Sequence, residues 1–319
     1  MPADLLGIAS PVVQAPMGAG ISRHELAAAV SAAGGLGTIC VNGAAEIERE
    51  LAAARSLTDR PVAVGALLPF LRRSWLKPLA QADVVITFWG RPRRLAGGSW
   101  LHQCGSVEEA RAAHAAGADA VIVQGVEAGG HVRGTTPGLQ LLEQVRSALP
   151  GDYPLLLSGG IAERADVARA LEAGAIAAVA GTRFLLSPES RAHERYRERL
   201  LAAEQTFITE LFGLGWPAAP HRVVANEATR RGLGPDGSIP LVTRAIHAAS
   251  GPTGRYVPDA VREKMIARQR AGSRLLSPIT ATDDRGENLI DGAPLYAGET
   301  VARIRDVRPA AELVAALTP

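Results

Sequence analysis

Three stretches of this chain close on nearly the same phrase: AAGGLG (32–37), AAGADA (115–120) and EAGAIA (172–177). Each follows an alanine-rich stretch and runs into apolar residues. A glycine just past the last helical turn takes the left-handed backbone that stops a helix, so each phrase reads as helix, stop, strand. The strands can be followed along the chain as PVVQA (11–15), GTICV (37–41), PVAVGAL (61–67), VVITF (84–88), WLHQC (100–104), AVIVQ (120–124), PLLLS (154–158) and AAVAG (177–181). Most are continuous apolar runs, as strands covered on both faces require. Helical stretches such as SVEEARAAHAAG from Ser106 and ERADVARALEAG from Glu163 lie between them, acidic at the start and ending on glycine, which suits the helix dipole and its C-terminal cap. The link WGRPRRLAGGS (89–99) is too short and too rich in proline and glycine for a full helix.

Eight parallel strands with intervening helices most simply close into an α/β (β/α)8 TIM barrel; an open doubly wound sheet is the alternative. This rhythm occupies residues 1–205. From TFITELF (206–212) onward the chain reads as helices and loops without further β/α units. Residues 206–285 are expected to form a helical lid or second small domain, and 286–319 to pack back on the barrel. Apolar residues make up 47% of the 319 and aromatics only 4%, so alanine, valine and leucine must fill the core.

The formal net charge of +2 comes from nearly balanced acids and bases, which argues against a partner that is nucleic acid or an anionic membrane. The basic run RPRRLAGG (91–98) reads as a solvated loop. Cys40 and Cys104 end apolar runs and are expected as buried free thiols, without disulfide or metal-site spacing. The opening MPADLLGIASPVVQ lacks a basic segment followed by an apolar one, and no apolar run approaches the roughly 18 residues of a membrane span. A soluble cytoplasmic protein is expected, with a homo-oligomer left open.

In such barrels the active site lies at the C-terminal ends of the strands, and phosphate is commonly held after the seventh and eighth. Here the seventh runs into Ser158, Gly159 and Gly160 and the eighth into Gly181, Thr182 and Arg183. Glycines let the backbone approach an anion, and a following helix N-terminus points N–H groups at it, although βα turns also use glycine for steric reasons alone. The first strand ends in QAPMGAG, where Pro16 and Met17 suit either a flat ligand or a tight turn over a core methionine. The sixth ends in QGVEAGGH. Gln124 offers donor and acceptor, Gly129 and Gly130 permit close approach, and His131 can exchange protons near neutral pH. A lone loop histidine is often structural, but this one stands at the catalytic face. Glu127 is placed either to orient His131 or to brace the loop.

The run QGVEAGGH resembles the signature of the nitronate monooxygenases, also called 2-nitropropane dioxygenases, which are FMN-dependent barrels. QAPMGAG, SAAGGLGTI, QCGSVEEARAAHAAGADAVIVQG, LSGGIA, AGTRF and LYAGETVARIRDVRPAAELV agree in order and spacing. The resemblance implies that Ala15, Pro16 and Met17 lie against the flavin ring and that Gln124 contacts the ring or ribityl chain, with Gly129 adjacent. It also implies that Gly159, Gly160, Gly181 and Thr182 hold the FMN phosphate, and that His131 takes the α-proton of a neutral nitroalkane. The expected reaction is oxidation of a nitronate or nitroalkane with O2 to a carbonyl compound and nitrite. FMN-dependent enoyl-acyl-carrier-protein reductases and some NADH:quinone reductases share the glycine–histidine motif. An NAD(P)H-dependent flavin reductase is therefore the alternative enzyme, and a flavin-binding protein without turnover the non-enzymatic one. Two positions depart from the family pattern. Gly65 stands where the third strand usually has an asparagine reaching the flavin, and Gln103 where many relatives have lysine.

Overall fold

The computed structural model describes residues 5–95, 97–254 and 259–319. The first four residues of the N-terminal stretch and Ala96 of the basic run lie outside the described residues. Eight parallel strands form one sheet: β1 (Val12–Gln14), β2 (Gly37–Ile39), β3 (Val62–Leu67), β4 (Val84–Phe88), β5 (Ser99–Cys104), β6 (Ala120–Gln124), β7 (Leu155–Ser158) and β8 (Ala177–Ala180). Each pairs with its neighbour in sequence, and β8 pairs with β1. The residue ahead of β2 closes the remaining seam: Leu36 N donates to Val12 O and Gln14 N to Leu36 O, at 3.0 and 2.9 Å. The chain is a (β/α)8 barrel and not an open doubly wound sheet.

The outer helices are α1 (His24–Ala32), α2 (Ala44–Leu57), α3 (Leu76–Leu79), α4 (Val107–Ala115), α5 (Gly138–Ala148), α6 (Arg164–Glu172) and α7 (Thr182–Leu185). The link between β4 and β5 holds no helix among its described residues. The three repeated phrases end α1, α4 and α6 in the same way. Gly34, Gly117 and Gly174 take φ of +94°, +82° and +91°. Their N–H groups donate to Ser31 O, His114 O and Leu171 O, and the next residues donate to Val30 O, Ala113 O and Ala170 O. This is the paired hydrogen-bond pattern of a Schellman cap. It turns the chain back to the next strand, where Asp119 N reaches Trp100 O and Ile176 N reaches Leu155 O. Ser106 caps α4 by accepting from Glu109 N, and Glu163 with Asp166 forms a capping box on α6.

Beyond α8 (Glu194–Leu201) the chain differs from a purely helical tail. It contains β9 (Phe207–Thr209), β10 (His221–Val224) and β11 (Leu295–Tyr296), with α9 (Glu227–Gly232), α10 (Leu241–Gly254), α11 (Asp259–Ala267) and α12 (Asn288–Gly292) between the last two. β10 sits between β9 and β11, and it also pairs with a two-residue strand, Gly130–His131, in the loop after β6. Strands this short carry too little period-2 signal to be read from sequence. The last helix, α13 (Ala310–Leu317), returns to the barrel wall. It buries Leu313, Val314 and Leu317 in one cluster with Leu26 and Val30 of α1 and Val167 of α6. Both cysteines are buried and free. Among the described residues, no helix is long and apolar enough to cross a membrane.

The barrel wall leaves no room for added atoms where helix meets strand. A Cβ on Gly37 would lie 1.9 Å from Ala27 O in α1, whereas one on Gly151 would meet nothing within 4 Å. Gly37→Ala should therefore cost about 1–3 kcal/mol or more, as overpacking does. Gly151→Ala should stay within about 0.5 kcal/mol of wild type. Urea unfolding of the two variants checks this; equal stabilities would mean that α1 slides off β2 at no cost.

Candidate active site

The barrel interior holds Val13, Ala63, Ile86, Leu101, Ile122, Leu156 and Val179. Side chains alternate along a strand, so the next inward position on each is Ala15, Gly65, Phe88, Gln103, Gln124, Ser158 and Gly181. All seven line one cavity of about 1180 Å³. Typical ligand pockets run to roughly 300–1,000 Å³, so this one has room for a cofactor and a second molecule. Every site residue named from the sequence lines it, from Ala15, Pro16 and Met17 through Gly129, Gly130 and His131 to Gly159, Gly160 and Thr182. Its roof comes from the tail, including Leu214, Trp216, Ile266 and Leu275.

At the first strand, Ser22 Oγ accepts from Met17 N and donates to Met17 O, both at 3.1 Å, which fixes this turn on the cavity floor. Gly65 is required by that turn: a Cβ there would come within 2.6 Å of Pro16 Cβ. The glycine that departs from the family pattern thus lets the proline settle flat over β3. Gln103 keeps an amide at the cavity wall, where it is 6% exposed. Cys40 also reaches the cavity, and burial pushes its thiol up to about 12.

The two glycine turns present backbone donors. Gly159 and Gly160 both have positive φ, +101° and +76°. A Cβ on Gly160 would have only Glu127 Cβ nearby, at 3.9 Å. Among the described residues, the N–H groups of Gly160, Gly181 and Thr182 have no acceptor. Cations stand behind these turns. Arg303 donates to Gly160 O and Asp166 Oδ2, at 3.2 and 2.8 Å. Arg183 is buried and engaged by Asp306. Thr182 Oγ1 accepts from Gly298 N at 2.9 Å, tying the β8 turn to the C-terminal segment.

The loop after β6 is held from three sides. Glu127 accepts from Gly138 N at the start of α5 and its carbonyl accepts from Glu299 N; it braces the loop and does not reach His131. The Arg222 guanidinium donates to Val126 O at 2.7 Å and pairs with Glu299. Gln124 Nε2 donates to His131 O at 2.9 Å, and its Oε1 accepts from Arg133 N at 3.2 Å. Its amide clamps the histidine's backbone while its side chain lines the cavity. A Cβ on Gly129 would lie 2.5 Å from Gly298 N, so this glycine permits the C-terminal segment to approach.

His131 is half-buried, and neither ring nitrogen has a hydrogen-bond partner among the described residues. Trp216 stacks on it with centroids 4.0 Å apart at 24°. His221, Tyr296 and Trp89 close around it with centroids at 5.2, 5.6 and 6.1 Å. Burial first, and then His221, hold the His131 imidazole well below its ordinary pKa, so it is neutral near physiological pH. The β/α rhythm could not reveal Trp216, His221 and Tyr296, because all three come from the tail. A tryptophan–proline pair between glycine and alanines was the faint signal for Trp216, and Tyr296 stood inside the quoted LYAGET motif without being singled out.

Comparison with known proteins agrees with this geometry. The nitronate monooxygenase family model matches residues 2–85 and 92–319. The chain is 34% identical to a nitronate monooxygenase of Pseudomonas aeruginosa, over 79% of this chain and 89% of that protein. Among solved structures it resembles FabK from Thermotoga maritima, with TM-score 0.76 and 25% identity over 99% of this chain and 93% of that one. It also resembles a nitroalkane oxidase from Streptomyces ansochromogenes, with TM-score 0.75 and 30% identity over 99% and 96%.

The buried imidazoles make the fold sensitive to acid. Burial brings both His102 and His221 down from 6.5 to about 4. Between those values the unfolded chain binds protons that the folded chain refuses, so stability falls as pH drops. By pH 5 each ring should cost about 2 kcal/mol relative to pH 7. His131 and His247 act in the same direction. Urea midpoints at pH 7, 6 and 5 should fall steadily, before most carboxylates begin to protonate. A flat profile would mean that these rings accept protons inside the fold.

Proposed function

This chain belongs to the nitronate monooxygenase family of oxidoreductases, and from that premise we propose that it binds FMN and oxidises alkyl nitronates, or the nitroalkanes that yield them, with O2. The observation that carries the reading is an imidazole, His131, with unpartnered nitrogens on the wall of a cavity floored by small residues and glycine turns. Ala15, Pro16 and Met17 would lie against the isoalloxazine ring, with Gln124 and Gly129 beside it. Ser158, Gly159, Gly160, Gly181 and Thr182 would hold the phosphate, and Gly130 lets the loop close over it. The fit is chemical as well as steric. The backbone donors at Gly160, Gly181 and Thr182 lack acceptors among the described residues, and groups of this kind receive phosphate oxygens well. When bound, FMN supplies the redox chemistry, taking electrons from the nitronate while O2 completes oxidation to a carbonyl compound and nitrite.

The chain's own contribution to a neutral nitroalkane is proton removal. His131 is unprotonated over the physiological range and so is always available as a base. The same apolar surroundings make it a reluctant one, because an imidazolium buried without a counter-charge is costly. A nitronate anion forming beside it offsets that cost, since opposite charges attract strongly where water is excluded. Trp216 on the ring face and Gln124 on the backbone hold the imidazole in place while this happens. A nitronate supplied ready-made has already lost the proton and needs no base.

The cofactor assignment is checked by mass spectrometry of the released flavin, which should be FMN and not FAD. Gly181→Val, at a glycine whose φ of −103° suits any residue and whose added Cβ would meet only Ala15 Cβ at 3.6 Å, should weaken FMN binding at least about tenfold while lowering the melting of the apoprotein far less. Unaltered FMN affinity in that variant would show that the phosphate lies elsewhere.

For the reaction, a nitronate added without oxygen should bleach the yellow protein, whereas bleaching by NAD(P)H alone would identify a reductase instead. A general base is worth about 10²–10⁴-fold. His131→Asn should lose activity on neutral nitroethane by that order while keeping most of its activity on the pre-formed nitronate. Equal losses on both substrates would make His131 a substrate-positioning group.

A further inference from the structure

Behind His131 lies a second imidazole with no exposure to solvent. His221 is 0% exposed, and its Nδ1 lies 3.0 Å from Ala219 O. A carbonyl can only accept, so Nδ1 carries the proton and Nε2 is left with a bare lone pair. That Nε2 is buried and has no hydrogen-bond partner. Leaving a buried acceptor unsatisfied is costly, so the arrangement calls for a reason.

The reason lies one strand away. His221 and His131 stand opposite each other in the antiparallel ladder. Paired residues in such a ladder put their side chains on the same face, and the ring centroids are 5.2 Å apart at 59°. The last torsion of histidine is soft, so the His131 ring can tilt within its stack on Trp216 to aim an N–H in the direction of the orphaned lone pair. Of the other polar groups around the two rings, all but His247 are engaged elsewhere. The Tyr296 hydroxyl donates to Pro278 O. Arg133 stacks over Trp89 and pairs with Glu109. Arg222 belongs to the ladder position next to His221, on the opposite face, and is bound to Val126 O and Glu299. His247 approaches from α10 with a buried, unpartnered Nε2 of its own, and burial also holds its pKa below the ordinary value.

We propose that His221 is a positioning residue for His131, its Nε2 accepting the second N–H of the His131 imidazolium that forms when the substrate is deprotonated. The inference rests on the reading of His131 as the base. The α C–H bond of the nitroalkane breaks and its electron pair stays on carbon, delocalising into the nitro group as the nitronate. The proton goes to one His131 nitrogen, and the N–H on the other nitrogen turns to His221. No electron leaves the substrate in this step. A protonated His221 would repel charge on His131, but burial keeps His221 neutral, and in that form it would steady a charge that the apolar wall otherwise opposes and would set which edge of His131 faces the cavity.

The test uses the FMN-loaded enzyme with nitroethane and its pre-formed nitronate. His221→Phe keeps the ring packing and removes both nitrogens, whereas His221→Gln places an amide oxygen near the Nε2 position. A hydrogen bond to a charged group is worth about tenfold to a hundredfold in rate. His221→Phe should lose that factor in kcat/KM for nitroethane, change by less than about twofold on the nitronate, and show a larger isotope effect with α-deuterated nitroethane. His221→Gln should recover most of the loss. If His221→Phe sheds flavin or melts early, His221→Asn takes its place, since it retains a donor for Ala219 O but no acceptor at Nε2. Equal losses on both substrates, or a glutamine variant as impaired as phenylalanine, overturns the proposal. His131→Asn run alongside separates the two ideas. Without a nitroethane–nitronate split in that variant the base reading itself falls, and a split there but not in the His221 variants overturns only the role of His221.

Discussion

Two residues of backbone pairing join the halves of this molecule. Gly130 and His131 lie antiparallel to Arg222 and His221, so the loop leaving the sixth barrel strand becomes the edge of a sheet built by the tail. A βα loop would ordinarily be mobile. Here it is pinned by a ladder, by Gln124 from below and by Arg222 through Val126 O. The imidazole is therefore presented from a rigid element, as the proposed role of meeting a substrate proton at hydrogen-bonding distance requires. The same pairing draws Trp216 and Tyr296 over the barrel mouth and makes the cavity an enclosure.

Glycine serves two different purposes around that cavity. At Gly160 the missing side chain leaves open space and an unanswered N–H. At Gly129 it leaves no space at all, because the Ala297–Gly298 backbone fills it. In the phrase EAGGH, Gly129 is thus a packing seam for the C-terminal segment. That segment also ties down the two glycine turns through Gly298 on Thr182 and Arg303 on Gly160 O. The arginines near the turns are engaged by aspartates and carbonyls, so under the proposed function the phosphate would be received by backbone dipoles that need no reorganisation.

The electrostatics of the site follow from enclosure. His131 has no acidic partner to raise its affinity for protons, and its neighbours are rings. Burial thus holds this imidazole toward its neutral form. Under the proposed function such a wall would favour protonation only beside a forming anion, and the residues that make it belong mostly to the tail.

By itself the sequence determined the eight barrel strands, each to within a residue or so at most ends, because a strand buried on both faces must be a continuous apolar run. It determined the helix stops, because only glycine caps a helix at positive φ without strain. Through the rule that barrel sites lie at the C-terminal ends of the strands it also placed Gln124, Ser158 and Gly181 at the mouth. Only the tertiary structure decided what lies above that mouth. The strands of the second sheet are two to four residues long, and the pairing that joins them to the loop after β6 spans about ninety residues of chain, so no local pattern announces it. The depressed basicity of His131, the stacking of Trp216 and the orphaned nitrogen of His221 share this origin. Each is a property of surroundings assembled from distant segments, and burial is a quantity that no single stretch of chain carries.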